Sequence, residues 1–111
     1  MEKLNILWTT DNKDTIFNML AMYALNSKAK NWWPEVNVII WGASVKLVKT
    51  DTQVQTEVLE MVKAGITVEA CKDCADNFGA TETLEKLGVT VKYMGLPLTE
   101  ILKQGERLIT I

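Results

Sequence analysis

Apolar, β-branched runs alternate along this chain with stretches whose apolar residues recur every three or four positions. Leu4-Asn5-Ile6-Leu7-Trp8, Val36 to Trp41, Ile66 to Cys71, Val89 to Tyr93 and Arg107 to Ile111 predict five strands. Ile16, Phe17, Leu20, Ala21 and Ala24 predict a first helix, and Val54, Val58, Met61 and Val62 a second. A third helical pattern runs from Thr81 to Leu87. A short fourth begins at Pro97, whose fixed φ suits a first helical turn. Lys63-Ala64-Gly65, Lys86-Leu87-Gly88 and Lys103-Gln104-Gly105 share one signature: lysine at the negative end of a helix dipole, then glycine as left-handed cap. A strand follows each within a residue or two. Strands and helices alternating through short joints imply an α/β domain, doubly wound, with a parallel sheet and helices on both faces.

That architecture says where chemistry collects. In open parallel sheets, ligands gather beyond the carboxyl ends of the strands. The segments arriving there are Trp8-Thr9-Thr10-Asp11, Trp41-Gly42-Ala43-Ser44, Cys71-Lys72-Asp73-Cys74 and Tyr93-Met94-Gly95. One rim thus gathers two indoles, several hydroxyls and the chain's two cysteines. Trp32-Trp33 before Pro34 falls at the opposite rim and reads as packing or interface. The first helix carries Met19, Met22 and Tyr23 beyond its core stripe, so it is apolar nearly all round, as helices covered by another subunit commonly are.

Composition narrows the classes. A chain of 111 residues with 48% hydrophobic and 23% charged residues is an ordinary single globular domain. A formal charge of −2 argues against nucleic acid or an acidic membrane as partner, since both call for a basic face. Apolar runs such as Val38 to Trp41 are far too short to span a bilayer, and the strand pattern starting at Leu4 is expected to leave no room for a signal peptide. The expected setting is therefore a reducing cytoplasm, where a C-x-x-C pair reads as redox, metal or catalytic before structural.

The chain has no histidine. Cys-His dyads and Ser-His-Asp triads are thereby excluded, and two cysteines alone do not make a structural zinc site. No Gly-rich phosphate loop is present, so neither metal nor nucleotide cofactor is expected. Cys71 sits where a strand gives way to a helical pattern, near the positive end of a helix dipole that favours the thiolate. Lys72 lowers that thiol's pKa if it faces it, whereas Asp73 acts in the opposite sense. The bland reading is two small buried hydrophobes and two solvated charges. A thioredoxin-type dithiol fits poorly: two βα units precede the motif, and no strand, cis-proline and hairpin order follows it.

From Val38 to Ile111 the chain resembles the DsrE/DsrF-like family, which includes the TusD-type sulfur carriers. The resemblance rests on Ile39-Ile40-Trp41-Gly42, the strand end Ala70-Cys71, and Gly79 eight residues beyond that cysteine. It continues through Leu87-Gly88-Val89 and Tyr93-Met94-Gly95 to Pro97-Leu98-Thr99-Glu100. The likeness is strongest to the short single-domain branch. It implies one DsrE-like domain over residues 1–111, a three-layer α/β/α sandwich with a five-stranded, mainly parallel sheet, Rossmann/flavodoxin-like in character. It also implies a homo-oligomer, trimeric or hexameric, and donor and acceptor proteins that exchange sulfur with it. In the carriers, a cysteine at the end of the third strand holds sulfur as a persulfide, and Cys71 occupies that place. Cys74 stands where the carrier pattern has a small apolar residue, which leaves room for a redox variant.

Three functions follow as expectations. In the first, Cys71 accepts sulfane sulfur as a sulfur carrier or sulfurtransferase, with Cys74 as resolving thiol and Lys72 helping to hold the thiolate. Thr9, Thr10 and Ser44 then position the donor or acceptor. In the second, both cysteines are inert and an oligomeric module holds a small ligand between Trp8, Trp41 and the Gly42 loop. In the third, Cys71 and Cys74 form a reversible disulfide in a thiol-disulfide oxidoreductase.

Overall fold

The structure, a computed structural model, describes residues 2–111. Five strands, β1 (Lys3–Trp8), β2 (Glu35–Ile40), β3 (Thr67–Cys71), β4 (Thr90–Lys92) and β5 (Arg107–Thr110), form one parallel sheet in the order β4-β3-β2-β1-β5. The helical elements are α1 (Lys13–Thr15), a π-helical turn (Ile16–Leu20), α2 (Ala21–Ala29), α3 (Ala43–Thr50), α4 (Thr52–Lys63), α5 (Lys72–Phe78), α6 (Thr81–Lys86) and α7 (Gly95–Lys103). The three lysine-glycine joints form as their sequence requires: Gly65, Gly88 and Gly105 have φ of 88°, 90° and 70°.

Strand order decides how the helices are shared between the faces. The chain steps from β1 through β4 in one direction, and right-handed crossovers put α1 to α6 on a single face. The last connection runs back past β1 to β5, so its helix, α7, lies on the other face. The packing agrees. Leu4, Ile6, Trp8, Val36, Val38, Ile40, Val68 and Ala70 join the large core with Ile16, Leu20, Val48, Val58, Met61 and Leu84. The intervening residues Ile39 and Cys71 form a small second core with Met94 and Ile101, flanked by Leu7, Trp41 and Leu108.

Several elements depart from the sequence expectation. The span between β2 and β3 holds two helices, because Asp51 is extended (φ −105°, ψ 115°) and caps α4, its carboxylate accepting the Val54 N–H at 3.0 Å. The helix expected over Thr81 to Leu87 is preceded by a separate one, α5, ended by Gly79 in the left-handed conformation. The helix expected from Pro97 starts two residues earlier, at Gly95, which still leaves proline in the first turn. The first helix contains a π turn, in which the Ala21 N–H donates to the Ile16 carbonyl. Its outer face is as apolar as expected, with Met19 and Met22 exposed and Tyr23 tilted against exposed Trp32, ring centroids 6.0 Å apart.

Candidate functional site

The carboxyl ends of β1 and β2 are tied together by main-chain polar groups. The Trp41 N–H donates to the Trp8 carbonyl at 3.1 Å, and the Ser44 hydroxyl donates to the same carbonyl at 2.7 Å. Ser44 also accepts from the Trp41 N–H at 3.2 Å and is fully buried. Its hydroxyl therefore staples the two strand ends and has no freedom to position a ligand. Trp8 is likewise not a rim group. It continues the Leu4-Ile6 stripe into the large core with no exposed surface, and its Nε1–H donates to the Thr10 carbonyl at 2.9 Å.

Thr9 and Thr10 bend the chain out of β1. Both amides donate to the Ile111 carbonyl, at 2.7 and 3.2 Å, and the Thr9 hydroxyl lies 3.2 Å from the same oxygen. The Thr10 hydroxyl accepts from the Asn12 N–H at 3.1 Å. Gly42 turns β2 into α3 with φ 73° and ψ −137°, a conformation essentially reserved for glycine. A Cβ placed there would meet nothing within 4 Å, so the backbone angle, and not crowding, demands glycine.

Both thiols are reduced and lie together at the end of β3. Cys71 immediately precedes α5 and is 2% exposed, in the small core beneath α7. Cys74, one turn on, is half-buried between the two cores. Burial pushes the Cys74 thiol above its ordinary pKa, and the neighbouring Cys71 and Asp73 push the same way. The Gly42 N–H opposes them. Lys72 does not hold a thiolate, contrary to the expectation. Its ammonium pairs with Asp76 at 3.2 Å, which raises its pKa, and lies 5.9 Å from the centre of the Tyr93 ring.

A groove of about 290 Å³ is lined by Leu7, Thr9, Trp41, Gly42 and Leu98, and by neither cysteine. Leu7 and Trp41 pack in the same small core as Cys71, and Gly42 is the residue whose amide acts on Cys74. Its wall carries no charge. Of the residues singled out in the sequence, the structure thus gathers Cys71, Cys74, Trp41, Gly42 and Thr9, and it sets Trp8, Ser44 and Lys72 apart. Thr10 borders the groove only through its neighbour. Sequence reasoning placed Met94 at this rim and missed Leu7 and Leu98. Leu7 was discoverable, because strand alternation puts it opposite Leu4, Ile6 and Trp8; Leu98 was not, because its place depends on which face α7 covers.

A second cleft, about 380 Å³, opens at the other rim between Glu2, Lys3, Trp33, Glu35, Gly105, Glu106 and Arg107. It is larger, but it lies far from the thiols in the topology, at the amino ends of the strands. Among the described residues, no three His, Cys, Asp or Glu side chains cluster to hold a metal ion, and no helix is long and apolar enough to cross a membrane.

Comparison with known families settles what kind of domain carries this rim. The model of the DsrE/DsrF-like family matches residues 4–111. The chain belongs to the DsrE/DsrF-like family. A conserved protein of unknown function from Bacteroides thetaiotaomicron has a solved structure that is 66% identical, with a TM-score of 0.98 over 99% of this chain and 95% of that one. Two distant structures share the fold over 100% of both chains: a protein of unknown function from Methanobacterium thermoautotrophicum (18% identity, TM-score 0.75) and the ychN protein of E. coli (15%, 0.72). A search of curated proteins finds no match. In this DsrE-like chain the α/β fold with its five-stranded parallel sheet is therefore as expected, and Cys71 ends the third strand as the resemblance implied.

Proposed function

We propose that this DsrE-like protein carries sulfane sulfur as a persulfide on Cys71. The observation that carries the reading is the pair of reduced thiols at the carboxyl end of β3, packed in the small core with Leu7 and Trp41, which also line an uncharged groove. A persulfide is more readily preserved where bulk water and thiols of other molecules are kept away, and Cys71 is 2% exposed. The Cys71 thiolate attacks the outer sulfur of a donor persulfide, RS–SH. The donor S–S bond breaks, RS⁻ leaves with the electron pair, and Cys71–S–SH remains. Such chemistry needs a reducing compartment, so the cytoplasm and protein donors and acceptors belong to this reading. So does a homo-oligomer, trimeric or hexameric, contacting through the exposed Met19-Met22-Trp32 patch. Incubation with inorganic polysulfide, followed by intact-protein mass measurement, should show a gain of one or more sulfur atoms that Cys71→Ser abolishes. Unmodified wild-type protein, with both thiols inert to alkylators in the native state, would remove the proposal.

The groove supports a second reading, binding of a small apolar ligand with no sulfur chemistry. Trp41 reports on it: an apolar probe should shift the protein's tryptophan emission, and Leu98→Glu, which puts a charge in the wall, should abolish the shift.

A further inference from the structure

Cys71 and Cys74 are one turn apart across the start of α5, with Cys71 in an extended conformation (φ −67°, ψ 120°) at the capping position. A side chain at that position folds back toward the third helical residue, which here is Cys74. Cys71 makes no side-chain capping bond, but it lies in the small core against which Cys74 packs, and its side chain and the Gly42 N–H both act on the Cys74 sulfur. The groove has no charged residue in its lining that would draw in an anionic acceptor. Sulfur loaded on Cys71 would therefore sit against an internal nucleophile before it met any external one.

We propose that the protein discharges accepted sulfane sulfur as hydrosulfide by closing a Cys71–Cys74 disulfide, and so acts as a dithiol-driven reductase of sulfane sulfur. The inference rests on the persulfide reading. It assigns the fate of the sulfur after loading, and to Cys74 the second step. The Cys74 thiolate attacks Sγ of Cys71–S–SH. The Cys74–Cys71 sulfur bond forms, and the bond from Sγ to the outer sulfur breaks with its electron pair leaving on HS⁻. The outer sulfur is reduced by two electrons while the two cysteines are oxidised to a disulfide. The proton on the persulfide departs with the hydrosulfide. A further turnover requires a dithiol reductant to reopen the disulfide.

Burial of Cys74 raises its pKa and so slows this second step near neutral pH. The Gly42 N–H is placed to support the thiolate once it forms. Hydrosulfide release should therefore accelerate as pH rises, while the persulfide is intercepted less often by outside acceptors.

The test is a single turnover without added reductant. Wild-type protein is treated with one equivalent of inorganic polysulfide, desalted, and followed by intact mass and by a sulfide-selective electrode. The expected course is a transient sulfur adduct that decays to a species lighter than the starting protein by two hydrogens, with one hydrosulfide released per chain. The decay rate should not change with protein concentration, which separates attack by Cys74 from attack by a second molecule. In Cys74→Ser the adduct should persist at least about tenfold longer, and no disulfide should form. The wild-type mass and sulfide readings stand alone, so a poorly folded variant does not rescue the idea. A wild-type adduct as long-lived as that of Cys74→Ser, with no hydrosulfide, would overturn the discharge step and leave the carrier reading intact. The absence of adduct, disulfide and hydrosulfide alike in wild type would overturn both.

Discussion

The two faces of the sheet are built to different standards. One is covered by α1 to α6 and meets them with an unbroken set of apolar strand residues: Leu4, Ile6, Trp8, Val36, Val38, Ile40, Val68 and Ala70. The other is covered by α7 alone, and its strand residues include Asn5, Asn37, Glu69 and Cys71 among Leu7 and Ile39. There Asn37 Nδ2 donates to Asn5 Oδ1 at 3.1 Å, Asn5 Nδ2 donates to the Arg107 carbonyl at 3.1 Å and to Glu106 at 3.2 Å, and Glu69 pairs with Lys92. Leu96 and Leu102 of α7 and nearby Tyr93 stay exposed. The thick face supplies stability. The thin face carries the polar groups, Cys71 and the groove, because a single helix leaves part of the sheet within reach of solvent.

If that division is right, truncations on the two faces should cost different amounts. Ile40→Ala on the thick face should lose about 4 kcal/mol in urea denaturation, whereas Ile101→Ala beneath α7 should lose about 2. Equal costs would break the comparison. Gly42→Ala tests the turn that joins the groove to Cys74. With φ at 73°, alanine there should cost about 1–3 kcal/mol by thermal melting, although nothing blocks its methyl. An unchanged melt would show that the turn relaxes freely.

Titration sharpens the picture of the site. Because burial raises the Cys74 pKa, its thiolate is scarcer in the folded chain than in the unfolded one at any pH below the folded value. Alkylation of Cys74 by iodoacetamide should thus run slower in native protein than in urea near pH 8. The gap should narrow as pH rises through the folded pKa. A native rate matching the unfolded one would mean that Cys74 is not desolvated. The smallest effect belongs to Asp51, on the margin of the thick face. Lys13, 2.8 Å away, and the Val54 N–H hold its carboxyl below the ordinary value. Its contribution is present above the unfolded pKa and fades as pH falls through the folded one. Melts of wild type and Asp51→Asn should differ slightly at neutral pH and converge in acid.

Much of this was legible from local pattern. Period-two alternation and lysine-glycine joints are properties of neighbouring residues, so the five strands and their order along the chain could be read directly. Even the burial of Trp8 was available, since it shares the parity of Leu4 and Ile6. Helix α3 was harder to see. Its buried face is only Ser44, Val45 and Val48, and its end is defined by the cap that Asp51 makes for the next helix.

What the sequence by itself determined was the five strands and the arrival of Trp41, Gly42 and Cys71 at one rim, because strand direction and side-chain parity follow from local geometry. Only the tertiary structure decided the spatial order β4-β3-β2-β1-β5, and with it that α7 stands alone on one face. That order comes from non-local pairing, which no stretch of neighbours encodes. It is what brings Leu98 over Leu7 and Trp41 to form the groove, and what seals Cys71 beneath Met94 and Ile101. The same packing took Lys72 away to Asp76 and left Cys74 with Cys71 and the Gly42 amide for company, since the path of α5 along the edge of both cores fixes what each side chain meets.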